Sequence, residues 1–220
     1  HPGREAWAVQ GVDLDIPAGQ FVLLVGGSGS GKSTLLHGIA GVLDEDEGEA
    51  AGTLSIGDQP ATSPEVRGRV GLVQQDPESQ RVMSRIGDEV AFGLENLGVA
   101  AELIWPRVER ALETVGLNYP LDHSTSHLSG GEKQRLALAC SLAMKPEVVL
   151  LDEPTANLDE VGAAKVREAV GALADQSGAT VVVADHNLEP WLNRADRLVV
   201  LKEGRVLADG TPAQVTAVNP

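Results

Sequence analysis

Residues 21–34 read Phe-Val-Leu-Leu-Val-Gly-Gly-Ser-Gly-Ser-Gly-Lys-Ser-Thr, and this stretch decides the fold. The apolar run from Phe21 to Val25 is typical of a buried strand, and the run from Lys32 to Ala40 favours a helix. Glycines between the two runs let backbone N–H groups converge on phosphates, and the helix N-terminus adds positive potential. We therefore predict an α/β fold with a phosphate-binding loop where a strand meets a helix.

The residue types in this loop have separate physical roles. Lys32 is placed to reach the β and γ oxygens of a nucleotide, and the hydroxyl of Ser33 is placed to bind Mg²⁺. Such a loop alone does not separate kinases, GTPases and ATPases. The residues predicted to contact the nucleotide are Gly26, Gly27, Ser28, Gly29, Ser30, Gly31, Lys32, Ser33 and Thr34.

Two further apolar runs end in polar side chains. The run from Val148 to Leu151 is followed by Asp152 and Glu153, and the run from Thr180 to Ala184 is followed by an Asp-His pair that ends at His186. Open α/β sheets bind ligands at the carboxyl ends of their strands. Asp152 is thus predicted to hold Mg²⁺, Glu153 to orient a water and accept its proton, and His186 to contact the γ-phosphate.

A second anion site is predicted where Leu128-Ser-Gly-Gly-Glu132 precedes a helical stretch that extends to Met144. Its backbone N–H groups and the helix N-terminus favour negative charge. The residues concerned are Ser129, Gly130, Gly131 and Glu132. One compact domain seldom needs two phosphate-binding ends for one nucleotide, although a plain helix cap is the simpler alternative for this segment.

Taken in order, these motifs resemble those of the nucleotide-binding subunit of ATP-binding-cassette (ABC) transporters, and the match covers nearly the whole chain. Gly26 to Thr34 resembles the Walker A loop, Gln75 resembles the Q-loop glutamine, and Leu128 to Glu132 resembles the family signature. Val148 to Glu153 resembles Walker B, Ala156 to Asp159 resembles the D-loop, and His186 resembles the switch histidine.

The resemblance implies an ATPase whose sites are shared between two cassettes. Two ATP molecules would lie between two such domains, with the Walker A side of one facing the signature of the other. Glu153, His186 and Gln75 would act in catalysis, and Gln75 would also bind the metal together with Ser33 and Asp152. Whether the dimer has like or unlike cassettes stays open.

The resemblance also implies a domain plan. We expect a P-loop NTPase core with a mainly parallel sheet, an N-terminal antiparallel β subdomain and a helical subdomain, all in one domain over residues 1–220. The core with its β subdomain would take approximately residues 1–75 and 147–220. The helical subdomain would take residues 76–146 and include the signature.

Two phrases are similar to energy-coupling factor importers of vitamins and transition metals: Val73 to Gln80, and Asp88 to Asn96. This similarity implies ATP-powered import and a transmembrane transporter subunit as partner. It also implies a position in the cytoplasm, peripheral on the inner face of the cell membrane. A groove near Gln80, Arg81, Met83 and Phe92 would receive the membrane subunit, although Met83 and Phe92 equally suit the core of the helical subdomain.

Two positions depart from the family pattern. The aromatic residue that usually stacks on adenine falls, by spacing from Lys32, at or near His1. Trp7 is a substitute, but a Trp in an N-terminal strand more often serves packing. Glu132 stands where many members of the family have Gln, and we expect activity to be retained.

Composition narrows the class of protein further. With 220 residues and no long apolar segment, the chain has enough residues for one core plus a subdomain. A net charge of −15 argues against nucleic acid as a partner. No apolar signal segment appears. Cys140 is predicted to be a small buried hydrophobic residue. The acidic run from Asp44 to Glu49 is predicted to form a solvated loop.

Periodicity predicts the remaining elements. Helices are expected at Glu102 to Val115 and Val161 to Ala174, with a last short helix after Gly210. A strand at Leu198 to Leu201 should turn through residues 202–204 into a second strand at Arg205 to Ala208.

Two alternative functions stay open. One is a soluble ABC-type ATPase, or one cassette of a two-cassette protein, that acts outside transport. The other is a metabolic phosphotransferase, which leaves the segment from Leu128 to Glu132 unexplained.

Overall fold

A computed structural model describes residues 7–43, 51–61, 63–66, 68–78 and 81–218. A six-stranded sheet in the order β4-β5-β6-β1-β7-β8 forms the centre, and a two-stranded hairpin lies apart from it. The strands are β1 Phe21–Val25, β2 Ser55–Ile56, β3 Gln59–Pro60, β4 Val70–Val73, β5 Val148–Asp152, β6 Thr180–Ala184, β7 Arg197–Lys202 and β8 Arg205–Gly210. The helices are α1 Lys32–Ala40, α2 Ile86–Asn96, α3 Ala101–Thr114, α4 Gly130–Ala143, α5 Glu160–Ser177 and α6 Pro212–Val218, with 3-10 turns at Pro64–Val66 and Thr125–His127.

Five strands of the central sheet are parallel, and only β8 pairs in the antiparallel direction, with β7. The central strands are apolar along their whole length: all five residues of β1 and all five of β6 are buried. Continuous burial is expected where helices cover both faces of a parallel sheet. The carboxyl ends of β4, β5, β6, β1 and β7 therefore meet at one edge.

Side chains that alternate along the strands face two separate apolar layers. On one face Leu36 of α1 packs with Val22, Leu24 and Val182. On the other face Leu23 and its neighbours pack against α4 and α5, which supply Leu138, Val166 and Val170. Helix α1 thus lies on one face of the sheet, and helices α4 and α5 lie on the other.

The connection from β4 to β5 contains α2, α3 and α4. Buried residues of α2 and α3 belong to the same apolar cluster as α4 and the second face of the sheet; they are Ile86, Val90, Leu94, Val108 and Leu112. In the described part of the chain, no helix is long and apolar enough to span a bilayer.

Most predicted elements are confirmed. The strands at β1, β5, β6, β7 and β8 and the helices α1, α3, α4, α5 and α6 match the sequence expectations to within a few residues, and the α/β fold class is confirmed. The division of the chain at residues 76 and 146 stays a prediction.

The N-terminal region differs from the expectation. Residues 7–20 contribute no strand to either sheet, so the described antiparallel pairing in the N-terminal part is the β2–β3 hairpin. The expectation that Trp7 packs in a strand is wrong, because it lies in an irregular segment and is 49% exposed. His1, Gln80 and the acidic run at residues 44–49 lie outside the described residues.

Candidate nucleotide-binding site

The predicted Walker A, Walker B and switch segments meet at the carboxyl edge of the sheet. Strand β1 lies beside β6, and β6 lies beside β5. The Glu153 N–H donates to the Ala184 carbonyl (2.8 Å), and the Asp185 N–H donates to the Leu24 carbonyl (3.3 Å). Residues far apart in sequence are thus placed side by side just beyond the strand ends.

Glycine is required at particular positions of the loop between β1 and α1. A Cβ atom on Gly26 would lie 2.3 Å from the Leu201 carbonyl oxygen, which is backbone and not free to move away. Gly29 and Gly31 have φ angles of +75° and +103°, a region that side chains disfavour. The loop therefore keeps a tight curl that only glycine permits at these positions.

Lys32 is buried at the first position of α1. Its ammonium donates to the Gly26 carbonyl (2.9 Å) and the Gly27 carbonyl (3.3 Å), and only 6% of the residue is exposed. Within α1 as described, Gly31 gives no side-chain cap and the first turn carries no acidic residue. The N–H groups at the start of α1 are therefore available to an anion such as a phosphate, and the Lys32 ammonium lies at the same helix end.

Asp152 has the environment that a metal-binding carboxylate requires. The residue is 6% exposed, and its Oδ1 atom has no hydrogen-bond partner among the described residues. An unsatisfied buried carboxylate oxygen is costly unless another group binds there. The oxygens of Asp152, Ser33 and Gln75 are also of the kind that Mg²⁺ prefers, so this donor set fits a magnesium ion.

Glu153 and His186 are neighbours in space. His186 Nδ1 lies 3.6 Å from Glu153 Oε2, which is longer than a hydrogen bond, and His186 is exposed. Glu153 has a φ angle of +46°, an unfavourable value for a residue with a side chain. The Glu153 backbone is therefore strained, and it places the carboxylate at the end of the strand.

Asp185 makes a buried network that sequence reasoning missed. Its Oδ2 atom accepts from Trp191 Nε1 (2.9 Å) and from the Thr155 hydroxyl (3.2 Å), and its Oδ1 atom accepts from the Asn187 N–H (2.9 Å). This network ties the segment before His186 to the segment after Glu153. The sequence signal was an acidic residue at the end of a buried strand.

The signature segment forms the N-terminus of α4 with a complete capping box. The Glu132 N–H donates to Ser129 Oγ (3.4 Å), and Glu132 Oε2 accepts from the Ser129 N–H (2.8 Å). A Cβ atom on Gly131 would lie 3.4 Å from Gly162 Cα, so the start of α4 packs on the start of α5. The signature and α1 therefore approach the edge from opposite faces of the sheet.

Gln75 lies just beyond β4 and is exposed. The side chain of Gln134 in α4 holds this segment by donating from Nε2 to the Gln74 carbonyl (3.1 Å). A groove of about 490 Å³ separates the segment from the D-loop; its lining includes Gln75, Glu78, Gly130, Lys133, Asn157 and Leu158. Gln75 and the start of α4 thus share one groove.

The N-terminal segment packs against the phosphate loop. The Gln10 N–H donates to the Gly204 carbonyl (2.7 Å), and the Gly204 N–H donates to the Ser30 carbonyl (2.9 Å). A Cβ atom on Gly31 would lie only 2.7 Å from the Ala8 carbonyl oxygen. Trp7, next to Ala8, is therefore a half-exposed aromatic residue close to the loop.

Comparison with known proteins decides the family. The family described as ABC transporter matches residues 9–156, which include the phosphate loop, the signature and Walker B. The chain belongs to the ABC transporter family. The resemblance of the motifs to those of ABC transporter subunits is thereby confirmed, and the chain is one ATP-binding cassette.

Relatives and solved structures agree with this membership. The cassette is 40% identical over 96% of its length to the energy-coupling factor transporter ATP-binding protein EcfA1 of Bacillus licheniformis, and 39% identical over 98% to EcfA1 of Bacillus subtilis. It spans 75% and 76% of those two proteins but only 36% of a relative from Methanosarcina acetivorans that is 39% identical.

Among solved structures, cbiO1 from Clostridium perfringens, described as part of the ABC transporter complex cbiONQ, superposes with a TM-score of 0.84 and 33% identity. That match covers 96% of the cassette and 84% of cbiO1. A dimeric ATP-binding cassette in a post-hydrolysis state, bound to ADP and phosphate, superposes with a TM-score of 0.81 and 27% identity over 96% of the cassette and 94% of its own chain.

Proposed function

We propose that the cassette is the ATP-hydrolysing subunit of an importer of the energy-coupling factor type, acting as a dimer. One observation carries the proposal. The N-terminus of α1, which follows the phosphate loop, and the N-terminus of α4, which carries the signature and its Ser129–Glu132 capping box, lie on opposite faces of one sheet. At each end, the backbone N–H groups that no cap uses still favour an anion. A nucleotide on the α1 side therefore leaves the α4 end free for the nucleotide of a second cassette.

Nucleotide binding is assigned to residues at the carboxyl edge of the sheet. The loop N–H groups and Lys32 would bind the β- and γ-phosphates, with Lys32 exchanging its carbonyl partners for phosphate oxygens. Mg²⁺, when bound, supplies charge neutralisation between the phosphates, and Ser33, Gln75 and Asp152 would hold it. Trp7 would stack on the adenine, because it is half-exposed beside the loop.

Hydrolysis is assigned to Glu153 and His186. The Glu153 carboxylate would orient a water toward the γ-phosphate and accept its proton. His186, 3.6 Å away, would donate to the γ-phosphate and help to fix the position of Glu153. Ser129, Gly130 and Gly131 of the second cassette would complete the site from the other side.

Import is supported by the relatives and not by the cassette's own site. EcfA1 proteins are named as transporter ATP-binding proteins, and cbiO1 is described as part of a transporter complex. They favour transport over the alternative of an ABC-type ATPase that acts elsewhere. A transmembrane subunit would then be the partner, with the cassette peripheral on the inner face of the membrane.

Docking of that subunit is assigned to the segment after Gln75. Arg81 and Val82 are exposed there, and Met83 is partly buried beside them. Phe92 is partly buried in α2, so it still suits either the groove or the core. Loss of assembly with the membrane subunit on substitution of Arg81 would support this surface, and unchanged assembly would count against it.

The deciding experiment is light scattering on the Glu153→Gln variant after size exclusion, with and without ATP and Mg²⁺, beside phosphate release by the wild type. We expect the variant to bind ATP, to stop turnover and to shift from monomer to dimer only with ATP. The control is Glu153→Gln combined with Lys32→Ala, which should stay monomeric because it binds ATP poorly. A variant that binds ATP yet stays monomeric would contradict a site shared by two copies of this chain.

A further inference from the structure

The Glu132 carboxylate is held from two directions. Its Oε2 atom accepts from the Ser129 N–H (2.8 Å) and from the Ser129 hydroxyl (2.7 Å). Its Oε1 atom accepts from the Tyr119 hydroxyl (2.7 Å). Tyr119 lies outside α4, in the connection that follows α3, so this bond joins the signature to a separate segment.

The bonds to Glu132 affect what Ser129 can donate. A serine hydroxyl has one hydrogen, and here that hydrogen is directed to the Glu132 carboxylate. To donate to a phosphate, the Ser129 hydroxyl must turn away from Glu132 and exchange one anionic acceptor for another. The Glu132 carboxylate therefore competes with the γ-phosphate of the second cassette for the hydroxyl hydrogen of Ser129.

Tyr119 weakens the hydrogen bond from the Ser129 hydroxyl to Glu132 and fixes the direction of the Glu132 carboxylate. Its hydrogen bond is the largest cause of a Glu132 pKa lowered from 4.5 to about 2, and a less basic carboxylate is a weaker acceptor. The Tyr119 ring stacks on His123 with centroids 4.2 Å apart, which keeps the hydroxyl in place. With both oxygens engaged, Glu132 is turned toward the helix start.

We propose that Tyr119 is a positioning residue for the shared ATP site: by holding Glu132, it sets how readily Ser129 is released to the γ-phosphate of a second cassette. This inference rests on the proposed function, because it needs the signature to complete the site of another cassette. Tyr119 would not contact the nucleotide itself. It acts only through Glu132 and Ser129.

The test is a double-mutant cycle of Tyr119→Phe and Glu132→Gln in the full chain. Tyr119→Phe keeps the ring on His123 but removes the hydroxyl. Without the Tyr119 hydroxyl, Glu132 should hold the Ser129 hydroxyl more strongly and so hinder the shared site. We therefore expect the protein concentration for half-maximal ATPase activity to rise about threefold to tenfold, the change that corresponds to loss of one hydrogen bond to a charged group near the surface. Affinity for a fluorescent ADP analogue, which lacks the γ-phosphate, should not change.

The second arm of the cycle separates this role from packing. In the Glu132→Gln background the charge is gone, so Tyr119→Phe should change that concentration by less than about twofold. A packing role for Tyr119 would give the same effect in both backgrounds and would overturn the proposal.

Ser129→Ala separates failure of the inference from failure of the proposed function. If Ser129→Ala raises the half-maximal concentration and Tyr119→Phe does not, the Tyr119 proposal is wrong and the shared site stands. If neither variant has an effect, the Tyr119 proposal is wrong, and the ATP-dependent dimerisation of Glu153→Gln decides whether the shared site stands.

Discussion

Asp185 and Trp191 are joined by a buried hydrogen bond of 2.9 Å from the indole nitrogen to Asp185 Oδ2. Asp185 is 2% exposed and Trp191 is 1% exposed. The indole ring also lies 6.2 Å from the Phe21 ring, centroid to centroid, at the start of β1. Trp191 therefore fixes the carboxylate that precedes His186 to the apolar core.

Trp191→Phe should destabilise the fold and disturb the switch segment. The variant leaves a cavity and removes one donor to a buried carboxylate, so we expect a loss of about 2–4 kcal/mol in the free energy of unfolding. Urea denaturation measures this loss. Trp105→Phe, on an exposed face of α3, should change the same quantity by less than about 0.5 kcal/mol; equal losses in the two variants would contradict the network.

Glu153→Gly should be more stable than Glu153→Ala, and both variants should be inactive. The φ angle of +46° costs any residue with a Cβ atom, whereas glycine adopts it freely. We expect the glycine variant to be about 1 kcal/mol more stable than the alanine variant by urea denaturation, with ATP turnover lost in both.

Glu168 in α5 provides the opposing control. At this exposed helical position glycine should be less stable than alanine by about 1 kcal/mol. If glycine is also the less stable residue at position 153, the strained backbone does not describe the protein in solution.

Trp7→Ala should weaken ATP binding by about tenfold, because stacking of a base on an aromatic ring contributes about 1–3 kcal/mol. Trp7→Phe should retain most of the affinity. ATP titration of the monomeric cassette measures both, and Trp105→Ala controls for the loss of an exposed indole. Unchanged affinity in Trp7→Ala would remove this residue from the adenine site.

The sequence was sufficient where local pattern decides structure. The apolar run before Gly26 and the residues from Lys32 onward predict strand, loop and helix, because burial and glycine content act locally. It was insufficient where partners come from irregular segments. Neither the bond from Trp191 to Asp185 nor the bond from Tyr119 to Glu132 follows from periodicity, since each depends on how a connection without regular structure folds back.

The acid sensitivity of the fold should depend on Glu132. Hydrogen bonds from Tyr119 and Ser129, with the charge of Arg135, lower the Glu132 pKa from 4.5 to about 2. A carboxylate with a lowered pKa in the folded chain stabilises it fully above 4.5, and this stabilisation declines as the pH falls from 4.5 toward 2.

Glu132→Gln removes this ionisable group, so wild type should exceed the variant by about 1 kcal/mol in the free energy of unfolding near neutral pH. The difference should hold constant from about pH 7 to about pH 5.5 and narrow below about pH 4.5, as followed by urea denaturation at each pH. Glu168→Gln, at an exposed position of α5, is the matched control for removal of one carboxylate. A difference between wild type and Glu132→Gln that stays constant down to about pH 3.5 would mean that the bonds from Tyr119 and Ser129 do not hold the Glu132 carboxylate in solution.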